Sequence, residues 1–167
     1  MNRRLILILG LWAVVVLGAA ADLAWHYPRL PASMAVHFDA AGVPDRWSPK
    51  SEFLATWILM TLLLGGLFAG LRVLLRFLPA DYINMPRREY WLAPERAAST
   101  RAEVGDVVLA LGGVILASIW ALNHVILRTN LKENPELGLW PWVIMAMTLV
   151  AMAGLLLAMT RRFFRSP

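Results

Sequence analysis

The chain has 167 residues, of which 59% are hydrophobic and 16% charged, with a formal net charge of +5. A mean hydropathy of +0.61 excludes an ordinary soluble domain, and the basic residues form no stripe of the kind that binds nucleic acid. Cysteine is absent, which removes disulfides, thiol chemistry and thiolate metal sites from consideration.

Four apolar runs, at about 5–25, 53–76, 104–126 and 142–160, are each near the roughly 20 residues that a helix needs to cross about 30 Å of hydrocarbon. A helix satisfies its own backbone in lipid and an open strand does not. The sequence therefore predicts an all-α integral membrane protein, a single four-helix domain over 1–167 with four transmembrane helices. Eleven of the sixteen Lys and Arg residues fall before the first span, around the loop 79–103 or after the fourth span. By the positive-inside rule both termini and the loop 79–103 are cytoplasmic, and the loops 26–52 and 128–141 face outward.

The first run follows Arg3-Arg4 and carries Ala19-Ala20-Ala21, which also fits a secretory signal with a small-residue cleavage site. Its continuation through Leu23-Ala24 to the interfacial Trp25 favours a retained anchor. Asp22 sits at the outer end of this run.

The loop 26–52 is the richest polar segment. Met34, Val36 and Phe38 alternate as in a strand, and 40–45 holds the Gly and Pro of a turn, so a small ordered hairpin is expected. In that register His37 and Asp39 share the face opposite Val36 and Phe38, and Asp45 and Lys50 are expected to join them across the turn. These groups suit a metal site of His37, Asp39 and Asp45 with His26, although no spacing is specific for a metal. They suit acid–base chemistry by His37 with a carboxylate, although no nucleophile or oxyanion arrangement accompanies it. They also suit a recognition surface of His37, Asp39, Asp45, Trp47 and Lys50 for a peptide, lipid or partner protein. The remaining reading is structural, with these side chains ordering a loop that lacks disulfides.

The second run ends with Arg72 and Arg76, four residues apart, as snorkelling anchors. The cytoplasmic loop that follows is aromatic and basic together. Asn84, Arg87, Arg88, Tyr90, Trp91 and Arg96 suit anionic headgroups or a docked cytoplasmic protein. Pro94 fits a first helical turn and Thr100 with Glu103 a capping box, so a short interfacial helix is expected to precede or merge into the third span.

In the third span Asp106 lies at the inner end and His124 beside Asn123 at the outer end, where an Asp22–His124 packing pair is expected. No ionisable group lies at the midplane, which disfavours an active transporter. Small residues at Gly66 and Gly70, Gly113 and Ala117, and Gly154 and Ala158 allow close helix approach within the bundle or between subunits. Six tryptophans, Trp25, Trp47, Trp57, Trp120, Trp140 and Trp142, read as an outer aromatic belt. The sequence names no cofactor and no metal.

Two blocks of residues carry a family resemblance. The first is Leu30-Pro31, Val36-His37-Phe38-Asp39, Gly42-Val43-Pro44-Asp45-Arg46-Trp47 and Lys50; the second is Asn84-Met85-Pro86 with Glu89-Tyr90-Trp91-Leu92-Ala93-Pro94-Glu95-Arg96. Together they resemble the bacterial membrane-protein family known as domain of unknown function 1648, over roughly 5–101. That domain in turn resembles the N-terminal part of the SdpI-type immunity proteins, which protect a producing cell from a secreted toxic peptide and can sequester a cytoplasmic repressor. This chain has four spans and lacks the further C-terminal membrane region of those proteins.

The resemblance implies a multi-pass protein of the bacterial cytoplasmic (inner) membrane. It also implies that the outer loop recognises an extracytoplasmic ligand while the 84–96 loop meets a cytoplasmic partner. The expected function is non-enzymatic binding or sensing of that ligand, immunity-like or signalling-like. The alternatives are an outer-surface enzyme or metalloprotein using His37 and carboxylates, and an accessory subunit of a membrane complex. Expected partners are the lipid bilayer, an extracytoplasmic peptide or protein, and a cytoplasmic or membrane protein.

Overall fold

The structure is a computed structural model that describes residues 3–164. Helix α1 (Arg3–His26) runs into a single turn of 3-10 helix (Tyr27–Arg29) and then strands β1 (Ser33–Phe38) and β2 (Pro44–Pro49). Helix α2 (Lys50–Leu74) follows, then a second 3-10 turn (Ala80–Tyr82), the short α3 (Arg88–Trp91), α4 (Pro94–Thr129) and α5 (Trp140–Phe164). Helices α1, α2, α4 and α5 are each long and apolar enough to cross a membrane, so the chain is a multi-pass membrane protein.

Helix α4 is the hub. The other three long helices pack chiefly against it rather than against one another. Its buried residues Gly105, Leu109, Gly112 and Leu116 recur every three or four positions and so form one stripe. With 36 residues it extends about 54 Å at 1.5 Å per residue, well beyond the hydrocarbon, so its first turns project past the bundle. The interfacial segment thus merges into the span. The expected capping box does not form, because α4 already begins at Pro94 with no side-chain cap, and Thr100 lies inside the helix with its Oγ1 donating to Trp91 O at 2.8 Å.

Aromatic rings from the neighbouring helices are seated on glycines. A Cβ added at Gly112 would stand 2.5 Å from Phe68 Cγ on α2, and one at Gly113 would stand 2.8 Å from Trp12 Nε1 on α1. Trp12 Nε1 also donates to Leu109 O at 2.9 Å, a carbonyl of the α4 backbone. The small residues expected to bring helices together divide accordingly: Gly113 does so, whereas Gly66, Gly70 and Gly154 have no neighbour within 4 Å. Large rings set the helix spacing here, and they need a gap opposite them rather than a matching stripe of small residues.

The start of α1 and the end of α5 lie at one end of the bundle. Glu103 Oε1 on α4 is 3.2 Å from Arg4 Nη1 on α1 and 3.3 Å from Arg162 Nε on α5. At the opposite end sits the β1–β2 hairpin over a small core of Leu23, Leu30, Met34, Phe53 and Leu127. Pairing is antiparallel, Ser33 with Pro49, Met34 with Ser48 and Ala35 with Trp47, and the register shifts on either side of His37. Such an irregularity re-aims a side chain relative to a regular strand.

Candidate functional site

The hairpin turn is built by its own residues. Asp39 Oδ1 accepts from the backbone N–H of Ala41 and of Val43, both at 2.9 Å, as an Asx turn does. Gly42 takes the positive φ of 83° that the reversal requires. The tip is tied sideways, since Leu137 N in the α4–α5 connection donates to Gly42 O at 3.1 Å.

The strand is tied down by Asn130. Its Oδ1 accepts from Ala35 N at 2.7 Å and its Nδ2 donates to Ala35 O at 2.9 Å, so one buried side chain satisfies both backbone groups of a buried residue. Met34 beside it is fully buried. Nothing in the sequence pointed to Asn130, because an Asn at the end of a helix reads as an ordinary C-terminal cap.

These restraints separate the residues expected to act together. His37 Nδ1 and Asp45 Oδ1 meet at 2.5 Å across the strands, with side chains 58% and 48% exposed. Asp39 does not join them, because its carboxylate is held by the turn. Lys50 does not either: as the first residue of α2 it donates through Nζ to Tyr27 O at 3.3 Å and Leu30 O at 3.2 Å, closing the 3-10 turn. A three-ligand site of His37, Asp39 and Asp45 is therefore not assembled, and His26 lies elsewhere.

Trp47, on β2, is 53% exposed and borders a cleft of about 440 Å³ with Arg46, Ser48, Glu52, Thr56 and Asn123. Ser48 Oγ donates to Glu52 Oε2 at 2.5 Å on its rim. Arg46, Ser48 and Glu52 were not expected as site residues; alternation along β2 would have put Arg46 and Ser48 on one face, but only the start of α2 brings Glu52 to them.

Beneath the hairpin, Asp22 and His124 are in contact. His124 Nδ1 on α4 donates to the Asp22 carboxylate on α1, at 2.9 Å from Oδ1 and 3.0 Å from Oδ2. Two further groups converge there. Trp120 Nε1 donates to Asp22 Oδ2 at 3.2 Å, and His26 Nδ1 lies 3.1 Å from Asp22 Oδ1 while donating to Asp22 O at 2.8 Å. Trp120, expected in an aromatic belt, is instead engaged in this cluster.

At the other end of the bundle the aromatic and basic loop turns partly inward. Trp91 is 7% exposed; its Nε1 donates to Phe163 O at 2.9 Å and the Arg162 guanidinium stands 4.6 Å over its ring. It is unavailable to a docking protein. Arg96 donates through Nε to Tyr90 O and covers the Tyr90 ring at 4.0 Å, while Asn84, Arg87 and Arg88 remain exposed. Arg72 does not snorkel to headgroups: its Nε and Nη2 reach Asp106 Oδ1 at 3.1 and 2.9 Å inside the α2–α4 contact.

Residues 5–64 match the family model described as Domain of unknown function (DUF1648). The matched span takes in α1, the hairpin and the first half of α2, and so His37, Asp45 and Trp47, but neither His124 nor Asn130. The chain matches no curated protein and no solved structure.

Proposed function

Taking residues 5–64 as a DUF1648 domain, we propose that the chain is a non-enzymatic receptor of the bacterial cytoplasmic membrane that binds an extracytoplasmic peptide or protein on its hairpin. The reading rests on one observation. The hairpin is fixed to the bundle by buried Met34 and Asn130, yet Trp47 stays exposed beside a cleft and the His37–Asp45 pair stays exposed on the strands. An aromatic ring and a charged pair held on a rigid support bind at low entropic cost, since little is left to order on association.

The hairpin end is taken as the outer face. Among the described residues, ten of the fifteen Lys and Arg residues belong to the other end, which the positive-inside rule assigns to the cytoplasm together with both termini. Asn84, Arg87 and Arg88 are the groups there that a cytoplasmic partner or anionic lipid would meet.

The test is crosslinking in intact membranes with a photoreactive residue in place of Trp47 or, at the opposite end, of Tyr82, which is 76% exposed. A peptide or protein captured at position 47, and lost in His37→Ala or Asp45→Ala chains that still assemble, is the expected result. Lipid adducts alone at both positions would make the hairpin a structural cover.

A further inference from the structure

Asp22, His26 and His124 converge more tightly than a helix-packing pair requires. One ligand atom from each lies within 4.8 Å of those of the other two. We propose that these three side chains bind a divalent first-row transition ion, zinc in the first instance, between α1 and α4 beneath the hairpin. The site is separate from the hairpin surface and does not depend on its ligand.

The donor set fits that ion class. Two imidazoles and one carboxylate are intermediate ligands that suit zinc and its neighbours, whereas magnesium and calcium take oxygen donors. Donors bound tetrahedrally to zinc at 2.0–2.2 Å stand about 3.3–3.6 Å apart. The His124 Nδ1–Asp22 and His26 Nδ1–Asp22 Oδ1 separations are 2.9 to 3.1 Å, so these two edges would open by a few tenths of an ångström around an ion, and all three ligand atoms already lie within 4.8 Å of one another.

The support is already in place. Asp22 and His26 are four residues apart on one face of α1, and Trp120 Nε1 holds Asp22 Oδ2 as an outer-shell donor would. Gly18 makes room for that ring, since a Cβ there would stand 2.6 Å from Trp120 Cη2. An ion bound through His26 Nδ1 would replace that nitrogen's contact with Asp22 O, the ring proton then residing on Nε2. A way in exists as well, because the His124 side chain is 41% exposed and lines a cavity of about 400 Å³ with Thr129 and Glu136. Three protein ligands leave coordination positions for water, as in open zinc sites.

The test uses the full chain in lipid nanodiscs without a polyhistidine tag, titrated with Co2+ and then Zn2+. One equivalent of Co2+ should bind with visible d–d absorption, be displaced by Zn2+, survive His37→Asn, disappear in His26→Asn and His124→Asn, and weaken about tenfold in Trp120→Phe. No saturable spectrum in the wild-type chain, or an equal one in the His26→Asn/His124→Asn chain, would overturn the proposal. Because those variants can fail to fold, Cu2+ bound to His37→Asn provides a second readout. The chain has three histidines, so electron paramagnetic resonance must then show two coordinated imidazole nitrogens; one or none would equally overturn it.

Discussion

Asn130 and His37 both make polar contacts at the hairpin, and their surroundings give those contacts opposite weight. Asn130 is 5% exposed and supplies both partners of the Ala35 backbone. Removing it leaves two buried groups unsatisfied at about 1–3 kcal/mol each. Asn130→Ala is therefore expected to cost about 2–6 kcal/mol and to release the β1 amides to hydrogen exchange, measured in detergent or nanodiscs. His37 and Asp45 form a close but exposed pair, and such pairs contribute about 0–1 kcal/mol. His37→Ala should leave the unfolding transition within about 1 kcal/mol of wild type, and a larger loss would make the pair structural and weaken the receptor reading.

Among the helices, spacing is set by rings seated on glycines rather than by stripes of small residues. Gly112→Ala would drive a methyl group into Phe68, with 2.5 Å available, and overpacking of this kind costs about 1–3 kcal/mol. Gly66→Ala meets nothing within 4 Å and should be neutral or slightly stabilising in an isolated chain, since Ala is the better helix former. Unfolding of the two variants side by side distinguishes the cases; a comparable loss at Gly66 would mean that another subunit covers α2. The legibility of the sequence differs here as well. Four apolar runs of the right length sufficed to find α1, α2, α4 and α5, because span length is set by bilayer thickness. Which glycine faces a neighbour depends on how each helix is rotated about its axis, and apolar runs surrounded by lipid carry little amphipathic signal to fix that rotation.

For the whole molecule, the hairpin caps one end of the bundle and the Arg4–Glu103–Arg162 cluster joins three helices at the other. The proposed orientation places the hairpin outside. The chain has no cysteine, so a cysteine in place of Trp47 and another in place of Arg88 give clean topology markers. In intact cells a membrane-impermeant maleimide should label position 47 and leave position 88 untouched until the membrane is opened. The reverse pattern would invert the topology and move the hairpin to the cytoplasm.

Composition and hydrophobic run length by themselves determined that this chain crosses a membrane on four helices, because the hydrocarbon constrains every spanning segment in the same way. The alternation at Met34, Val36 and Phe38 located the strand, and the Asp22–His124 contact followed from the scarcity of charge within the spans. Tertiary structure alone decided what each polar group does. Asp39 and Lys50 close turns, Trp91 and Arg72 are drawn inside, and Asn130 clamps a strand 95 residues away. It also brought His26 onto the Asp22–His124 pair. The physical reason is that polar groups out of reach of water must find partners wherever the fold places them, and those partners come from elements whose separation along the chain gives no sign of their contact.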